Sequence, residues 1–111
     1  MHFCIIAQYT PQALNAMRDD PNTNRYEAVK KVVEAAGGKL VSMYGYPAEG
    51  PGVLVIFDVP DPAAAPAIAG LAVAGGAIHN VKLTRLLTQD ELVHVRQKAR
   101  ELHGAYKPPG K

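Results

Sequence analysis

Residues 39–59 read KLVSMYGYPAEGPGVLVIFDV, and this stretch decides how the rest of the chain is interpreted. Residues 39–46 and 53–59 are rich in apolar, β-branched and aromatic side chains, which is the composition of β-strands. The loop between them contains Pro47 and the run Gly50-Pro51-Gly52, so it is too irregular for a two-residue hairpin turn. Two strands therefore follow one another directly in the middle of the sequence.

The sequence before this strand pair predicts one strand and two helical segments. Residues 2–9 form a short apolar run typical of a buried strand. Thr10 is the predicted N-cap of the first helix, which Pro21 interrupts because proline lacks an amide donor. Helical spacing of apolar residues resumes at Asn24 and ends at Gly37, where a left-handed glycine is expected.

The sequence after the strand pair predicts helix, strand and helix. Asp61 precedes a proline in a cap-then-proline signature, which predicts an alanine-rich helix to about residue 75. Residues 80–87 are the fourth predicted strand, and Thr88 with Glu91 matches a capping box. The last helix runs to about residue 103, and its predicted inward side chains are Leu92, Val95, Ala99 and Leu102.

The resulting order is β-α-β-β-α-β with an extra C-terminal helix, the split βαβ arrangement of ferredoxin-like α+β folds. Such a fold has one antiparallel four-stranded sheet with helices on one side. We predict a single domain over residues 1–104, because no linker divides the chain. Residues 105–111 are predicted to be a flexible C-terminal tail.

Alternation of side chains along the predicted strands assigns them to two faces of the sheet. The side facing the helices takes Phe3, Ile5, Ala7, Tyr9, Val41, Met43, Val53, Val55, Phe57, Val81, Leu83 and Leu87. The other side takes His2, Cys4, Ile6, Gln8, Leu40, Ser42, Tyr44, Leu54, Ile56, Asp58, Lys82, Thr84 and Leu86. Because its aliphatic members would form an exposed apolar patch, we expect a homodimer that packs sheet to sheet, with a pocket between the sheets.

The charge balance and the cysteine content narrow the possible partners. The net charge is +2, from 12 basic and 10 acidic residues without a basic stripe, so nucleic acid is not expected to bind. No stretch is apolar over enough residues to span a membrane, so no membrane partner is expected. Cys4 is the only cysteine, which excludes a CxxC metal knuckle, and no secretion signal is evident, so we predict a cytoplasmic location. His94 and His103 are nine residues apart rather than four, so we predict no metal site, and we expect no cofactor.

Several segments, taken in order, resemble the GYD-domain family of the dimeric α/β-barrel group, over about residues 3–91. They are the proline-interrupted first helix and the runs RYEAVKKVVEAAGGK (25–39), SMY (42–44), FDVPDP (57–62), NVKLTR (80–85) and TQDE (88–91). In place of the family's Gly-Tyr-Asp-like turn before the third strand, this chain has EGPG at residues 49–52. The resemblance implies a fold and a dimer rather than a substrate, because the broader group ranges from monooxygenases and isomerases to ligand-sensing modules.

Four residues are candidates for proton-transfer chemistry. Asp58 or His79 would accept a proton, Tyr44 would donate one, and Lys82 would stabilise developing negative charge. A structural alternative stays open, in which Asp58 pairs with Lys82 at the sheet edge and Tyr44 only packs. His79, just before the fourth predicted strand, is then a surface-loop histidine.

The remaining polar and aromatic side chains near that face are candidate ligand contacts: His2, Cys4, Gln8, Tyr46 and Thr84. Cys4 would act as a nucleophile only beside a positive charge, and otherwise as a buried inert thiol. Haem binding would need His2 or His79 as an axial ligand. We therefore expect a protein that binds a small organic molecule between two sheets, with possible proton-transfer activity. The alternative is a non-catalytic ligand-sensing or protein-interaction module whose last helix and basic tail contact a partner.

Overall fold

Four strands and four α-helices make up the chain, and the computed structural model describes all 111 residues. The elements are β1 (His2–Tyr9), α1 (Pro11–Asp19), α2 (Arg25–Ala35), β2 (Lys39–Gly45), β3 (Gly52–Asp58), α3 (Ala64–Ala74), β4 (Ile78–Leu86) and α4 (Gln89–Leu102), followed by a 3-10 helix at His103–Ala105. The strands form one antiparallel sheet in the order β2-β3-β1-β4. The predicted α+β architecture is confirmed, and its topology is compatible with a ferredoxin-like fold.

Local hydrogen bonds explain where the helices begin. Thr10 Oγ1 accepts a hydrogen bond of 3.1 Å from the Ala13 amide, as predicted for an N-cap. Thr88 and Glu91 form the predicted capping box at the start of α4. The predicted cap at Asp61 is wrong by two residues, because its carboxylate accepts from the Ala63 amide at 2.9 Å in a turn that precedes the helix and the N-cap position is Ala63. α3 then begins at Ala64 without a side-chain cap.

The hydrophobic core lies between the sheet and helices α2 and α3. Phe57 and Val33 are completely buried, and the Phe3 ring stacks on Phe57 with 5.9 Å between centroids. The other buried residues are Ile5, Ala7, Leu40, Val53, Val55, Val59, Ala65, Ala69 and Ile78. Neither α1 nor α4 contributes a fully buried side chain, so the body is held together mainly by the sheet and two helices.

The predicted alternation holds in β1, in β3 and at residues 42–44 of β2, but it fails at the first residues of β2. Leu40 lies opposite Phe57 while Ser42 lies opposite Ile56, so a β-bulge at Val41 interrupts the register. A bulge inserts one extra residue and reverses which side the neighbouring side chains face. Leu40 is therefore buried in the core, and Val41 is 46% exposed, the opposite of the two predicted assignments.

β4 also differs from the prediction. It begins at Ile78 rather than residue 80, so His79 lies inside the strand opposite Gln8, not in a preceding loop. The register shifts again between Ile6 and Gln8, where Asn80 has a φ of 52°. The strand ends at Leu86, which leaves Leu87 beyond it and 43% exposed instead of facing the helices.

α4 leaves the body soon after it begins. In its first turn Glu91 forms an ion pair with Arg85, whose guanidinium lies 5.6 Å from the Phe3 ring centroid. Every residue from 93 onward is exposed, so the prediction that Val95 and Leu102 face inward is wrong. The Cα radius of gyration is 18.0 Å, against about 13 Å for a compact domain of this length. We call residues 93–111, which contain the predicted tail, the arm.

None of the helices is both long enough and apolar enough to cross a lipid bilayer.

Candidate functional site

One face of the sheet contains no fully buried side chain, and we call it the open face. Its half-buried or exposed members are His2, Cys4, Ile6, Gln8, Ser42, Tyr44, Leu54, Ile56, Asp58, His79, Lys82, Thr84 and Leu86. Side chains on the other face of the same strands form the core. Ile6, Leu54 and Ile56 make the centre of the open face apolar, and apart from Leu86 its ends are polar.

Strand pairing arranges the open face in rows that run across the sheet. The rows are Asp58, His2 and Leu86; then Ser42, Ile56, Cys4 and Thr84; then Tyr44, Leu54, Ile6 and Lys82; and finally Gln8 with His79. Each row is therefore a set of neighbours on adjacent strands, about 4.8 Å apart. The rows determine which predicted site residues meet.

The rows separate the predicted catalytic residues within one chain. Tyr44 and Lys82 share a row but stand on the two edge strands, about 14 Å apart. Asp58 and Lys82 are separated by four residues along β1 and by two strand spacings, which together amount to about 16 Å. Asp58 and Lys82 thus do not form the predicted edge pair.

A cleft of about 380 Å³ lies at the Gln8 end of the open face. Its lining residues are Ile6, Ala7, Gln8, Tyr46, Ala48, Glu49, Asn80, Val81 and Lys82. It is bounded by the end of β1, the start of β4 and the loop that joins β2 to β3. Gln8, Tyr46 and Lys82 were predicted as site residues and meet here, whereas Glu49 and Asn80 were not predicted.

Gln8 is held in place from both sides. Its Oε1 accepts a hydrogen bond of 2.7 Å from Asn80 Nδ2, and its Nε2 donates one of 2.6 Å to the Glu49 carbonyl. Gly50 adopts a φ of 130°, a conformation that disfavours other residues, and packs beside the Gln8 carboxamide. The Gln8 side chain therefore ties the β2–β3 loop to the bulge in β4.

Lys82 is the only cation among the lining residues, and it forms no ion pair. Its aliphatic neighbours Ile6, Ala7 and Val81 form an apolar wall, and Glu49 supplies the only carboxylate of the cleft. An apolar wall with a few fixed polar groups is the usual character of a small-molecule site. The cleft is therefore the best-formed candidate site on the open face.

Asp58 lies at the opposite end of the open face from the cleft. Its carboxylate accepts a hydrogen bond of 2.7 Å from the N-terminal ammonium group of Met1, and His2 is its neighbour on β1. The hydrogen bond from the N-terminus holds the pKa of Asp58 below its usual range. A lowered pKa makes this carboxylate a weaker proton acceptor near neutral pH.

The other predicted contacts are spread over the open face. Burial raises the pKa of the half-buried Cys4 thiol, which favours the neutral form over a nucleophilic thiolate. Thr84 lies opposite Cys4, and His79 is exposed on β4 outside the cleft lining. No group of three or more His, Cys, Asp or Glu side chains is placed to hold a metal ion.

A second cavity, of about 50 Å³, lies inside the core between the sheet, α2 and α3. Twelve of its 13 lining residues are hydrophobic. An apolar cavity that takes up benzene has a volume of about 150 Å³, so this space is too small for such a ligand. It is a packing gap rather than a site.

Comparison with known proteins identifies the family. The sequence model of the GYD domain matches residues 3–95, which include the cleft and all of the sheet except His2. No curated protein matches the chain. Because the match covers more than half of the chain, it confirms the resemblance found in the sequence, and the chain belongs to the GYD-domain family.

Proposed function

We propose that the protein binds a small organic anion in the cleft, and that a second copy of the chain closes the cleft by packing sheet to sheet. The observation that carries the proposal is Lys82, an unpaired cation beside an apolar wall and a fixed pair of carboxamides. A carboxylate ligand would supply the charge partner that Lys82 lacks in this chain.

The open face supports the second part of the proposal. Its aliphatic side chains, Ile6, Leu54 and Ile56 at the centre and Leu86 at one end, are half-buried within one chain and have nothing above them. An exposed and contiguous apolar patch of this kind is typical of a protein–protein interaction site. An identical face on a second copy is self-complementary under two-fold symmetry, so a homodimer is the simplest cover.

Asn80 and Tyr46 define the polar contacts left for a ligand. One Nδ2 proton of Asn80 is used by Gln8, so its other proton and its Oδ1 atom remain available. Tyr46 lines the cleft with an aromatic ring and a hydroxyl group. These groups suit a molecule with one carboxylate, an apolar body and a further hydrogen-bonding group.

Catalysis by proton transfer needs residues from both copies. Tyr44 is 65% exposed and lies in the same row as Lys82, at the opposite edge of the sheet. A two-fold axis parallel to the strands would place the partner's Tyr44 across from Lys82, with the sheets about 10 Å apart. A phenol donor would then act across the dimer, whereas binding without turnover, as in a ligand sensor, requires only the cleft.

A thermal-shift screen tests the proposed ligand class. The probes are small organic carboxylates, each compared with its neutral amide. At 100 times its dissociation constant, a ligand of the folded state stabilises by about 2.7 kcal/mol. We expect stabilisation by some carboxylates and not by their amides. Equal stabilisation by both, or none by any carboxylate, would remove the anion site from the proposal.

A further inference from the structure

The arm carries an apolar stripe that nothing in its own chain covers. Val95 is 50% exposed, Leu102 is 58% exposed and Tyr106 is 67% exposed. Val95, Ala99 and Leu102 follow a spacing of four and three residues, which in α4 keeps their side chains on one side. Tyr106 extends the exposed apolar surface beyond the end of the 3-10 helix. A helix with such a stripe gains most of its stability from packing against another surface.

The charges beside the stripe argue against pairing of two arms with each other. Arg96 and Lys98 flank the apolar positions, where the edges of two paired helices would meet, and Lys98 forms an ion pair with Glu101 of its own helix. Like charges at those edges repel, so an arm does not make a good partner for its own copy. The stripe is better suited to a surface that is not itself basic.

The body of the chain has the opposite net charge. Residues 93–111 contain five Lys or Arg and one Glu, a net charge of +4, while residues 1–92 carry −2. Complementary net charge favours association of an arm with the body of another copy and speeds their encounter. Within its own chain, the arm points away from the body rather than onto it.

The open face alone is smaller than one side of a typical stable interface, so a further contact is needed. Four strands of seven residues cover about 450 Å² of surface. Stable interfaces usually bury about 800 Å² on each partner. One side of the arm adds about 200 Å², and the patch that receives the partner's arm adds a similar area, so each copy's share reaches about 850 Å².

From these observations we infer that the arm is an inter-subunit clasp: its apolar stripe packs on the body of a second copy, and each body receives one arm. The inference rests on the proposed sheet-to-sheet dimer and adds a second contact to it. The occupant of the stripe is thus a surface within residues 1–92 of the partner.

Sedimentation velocity over a range of concentrations tests the clasp with a double variant of the full chain, V95E/L102E. It removes two apolar side chains from each arm, and we expect the dimer dissociation constant to rise at least about 100-fold. The matched control is V93E, on the same helix, 44% exposed and about 150° around it from the stripe. V93E makes the same change of an apolar side chain to glutamate outside the stripe, so the dimer dissociation constant should change less than about threefold.

Three results of this comparison are informative. A large loss for V95E/L102E with little change for V93E supports the clasp. A dissociation constant of V95E/L102E equal to that of the wild type overturns the clasp but leaves the sheet-to-sheet dimer intact. A monomeric wild type overturns both. Circular dichroism of each variant checks that α4 and the sheet are still folded.

Cross-linking shows where the arm packs. The Leu102→Cys variant, made in a Cys4→Ser background, is labelled at position 102 with a photoreactive maleimide. Chains that contain ¹⁴N and chains that contain ¹⁵N are then mixed before illumination. Mixed-isotope cross-links from the arm to residues 1–92 support the clasp. Cross-links that join only chains of the same isotope, or that join only two arms, contradict the clasp.

Discussion

Asn80 donates a hydrogen bond of 2.7 Å to Gln8 at the place where β1 and β4 lose their one-to-one pairing. Asn80 is the only residue other than glycine with a positive φ, 52°. Bulges and unusual backbone conformations are often found beside functional sites, where they redirect a side chain. In this chain the bulge turns the Asn80 carboxamide toward Gln8 and shapes one wall of the cleft.

Substitutions at Asn80 separate the hydrogen bond from the backbone conformation. Asn80→Gly keeps access to positive φ and loses the carboxamide, so we expect the free energy of unfolding to fall by about 0.5–1.5 kcal/mol. Asn80→Ala also strains the left-handed backbone, which should cost about 1 kcal/mol more. Urea denaturation measures both. Equal stability of the two variants would show that the bulge relaxes when Asn80 is removed.

Lys82 should control affinity for an anionic ligand. Lys82→Ala removes the only cation that lines the cleft, and we expect the dissociation constant of a carboxylate ligand to rise at least about tenfold. Lys39→Ala is the matched control, because Lys39 is exposed opposite Asp58 at the other end of the sheet. Isothermal titration calorimetry measures both variants. Similar losses at the two lysines would indicate general attraction to positive charge instead of a site.

The β-bulge in β2 predicts opposite outcomes for two adjacent residues. Leu40 is 7% exposed and Val41 is 46% exposed. Leu40→Ala should lower the free energy of unfolding by about 2–5 kcal/mol because it leaves a cavity in the core. Val41→Ala should lower it by less than about 1 kcal/mol. If denaturation shows the larger loss for Val41→Ala, the strand is regular and the bulge is absent.

Attachment of α4 to the sheet should depend on pH through Glu91. Hydrogen bonding to the Thr88 backbone amide, together with the nearby Arg85 guanidinium, holds the pKa of Glu91 below its usual range. A lowered folded-state pKa gives stability that is present above the unfolded value of about 4.3. That stability is lost as pH falls through the folded-state pKa.

Thermal denaturation of wild type and Glu91→Gln between neutral and acidic pH measures this linkage. We expect the wild type to be more stable at neutral pH and the difference to disappear in acid. A difference that is the same at every pH would mean that the charge of Glu91 does not contribute to the attachment of α4.

Features determined by local chemistry could be read from the sequence. Thr10, Thr88 and Glu91 cap helices because their side chains bond to amides within three residues. Element order and strand alternation in β1 and β3 likewise follow from short-range patterns. These patterns were sufficient for the α+β architecture and for three of the cleft residues, Gln8, Tyr46 and Lys82.

Features determined by pairing between distant segments could not be read in the same way. The bulges at Val41 and Asn80 depend on which residues of the neighbouring strand lie opposite, and one extra residue reverses the assignments on one side of it. The direction of α4 depends on its attachment through Arg85 and Glu91, not on its apolar periodicity. Asn80 carried one usable signal, since Asn tolerates a positive φ better than most residues.

The molar mass of the wild-type protein at micromolar concentration, measured by light scattering beside Ile56→Lys, tests whether a second copy covers the open face. We predict twice the 11.9 kDa of one chain for the wild type. Ile56→Lys puts a charge in the centre of the open face, which should shift the measured mass toward that of a single chain. A wild type with the mass of one chain would contradict the dimer and, with it, the closed cleft.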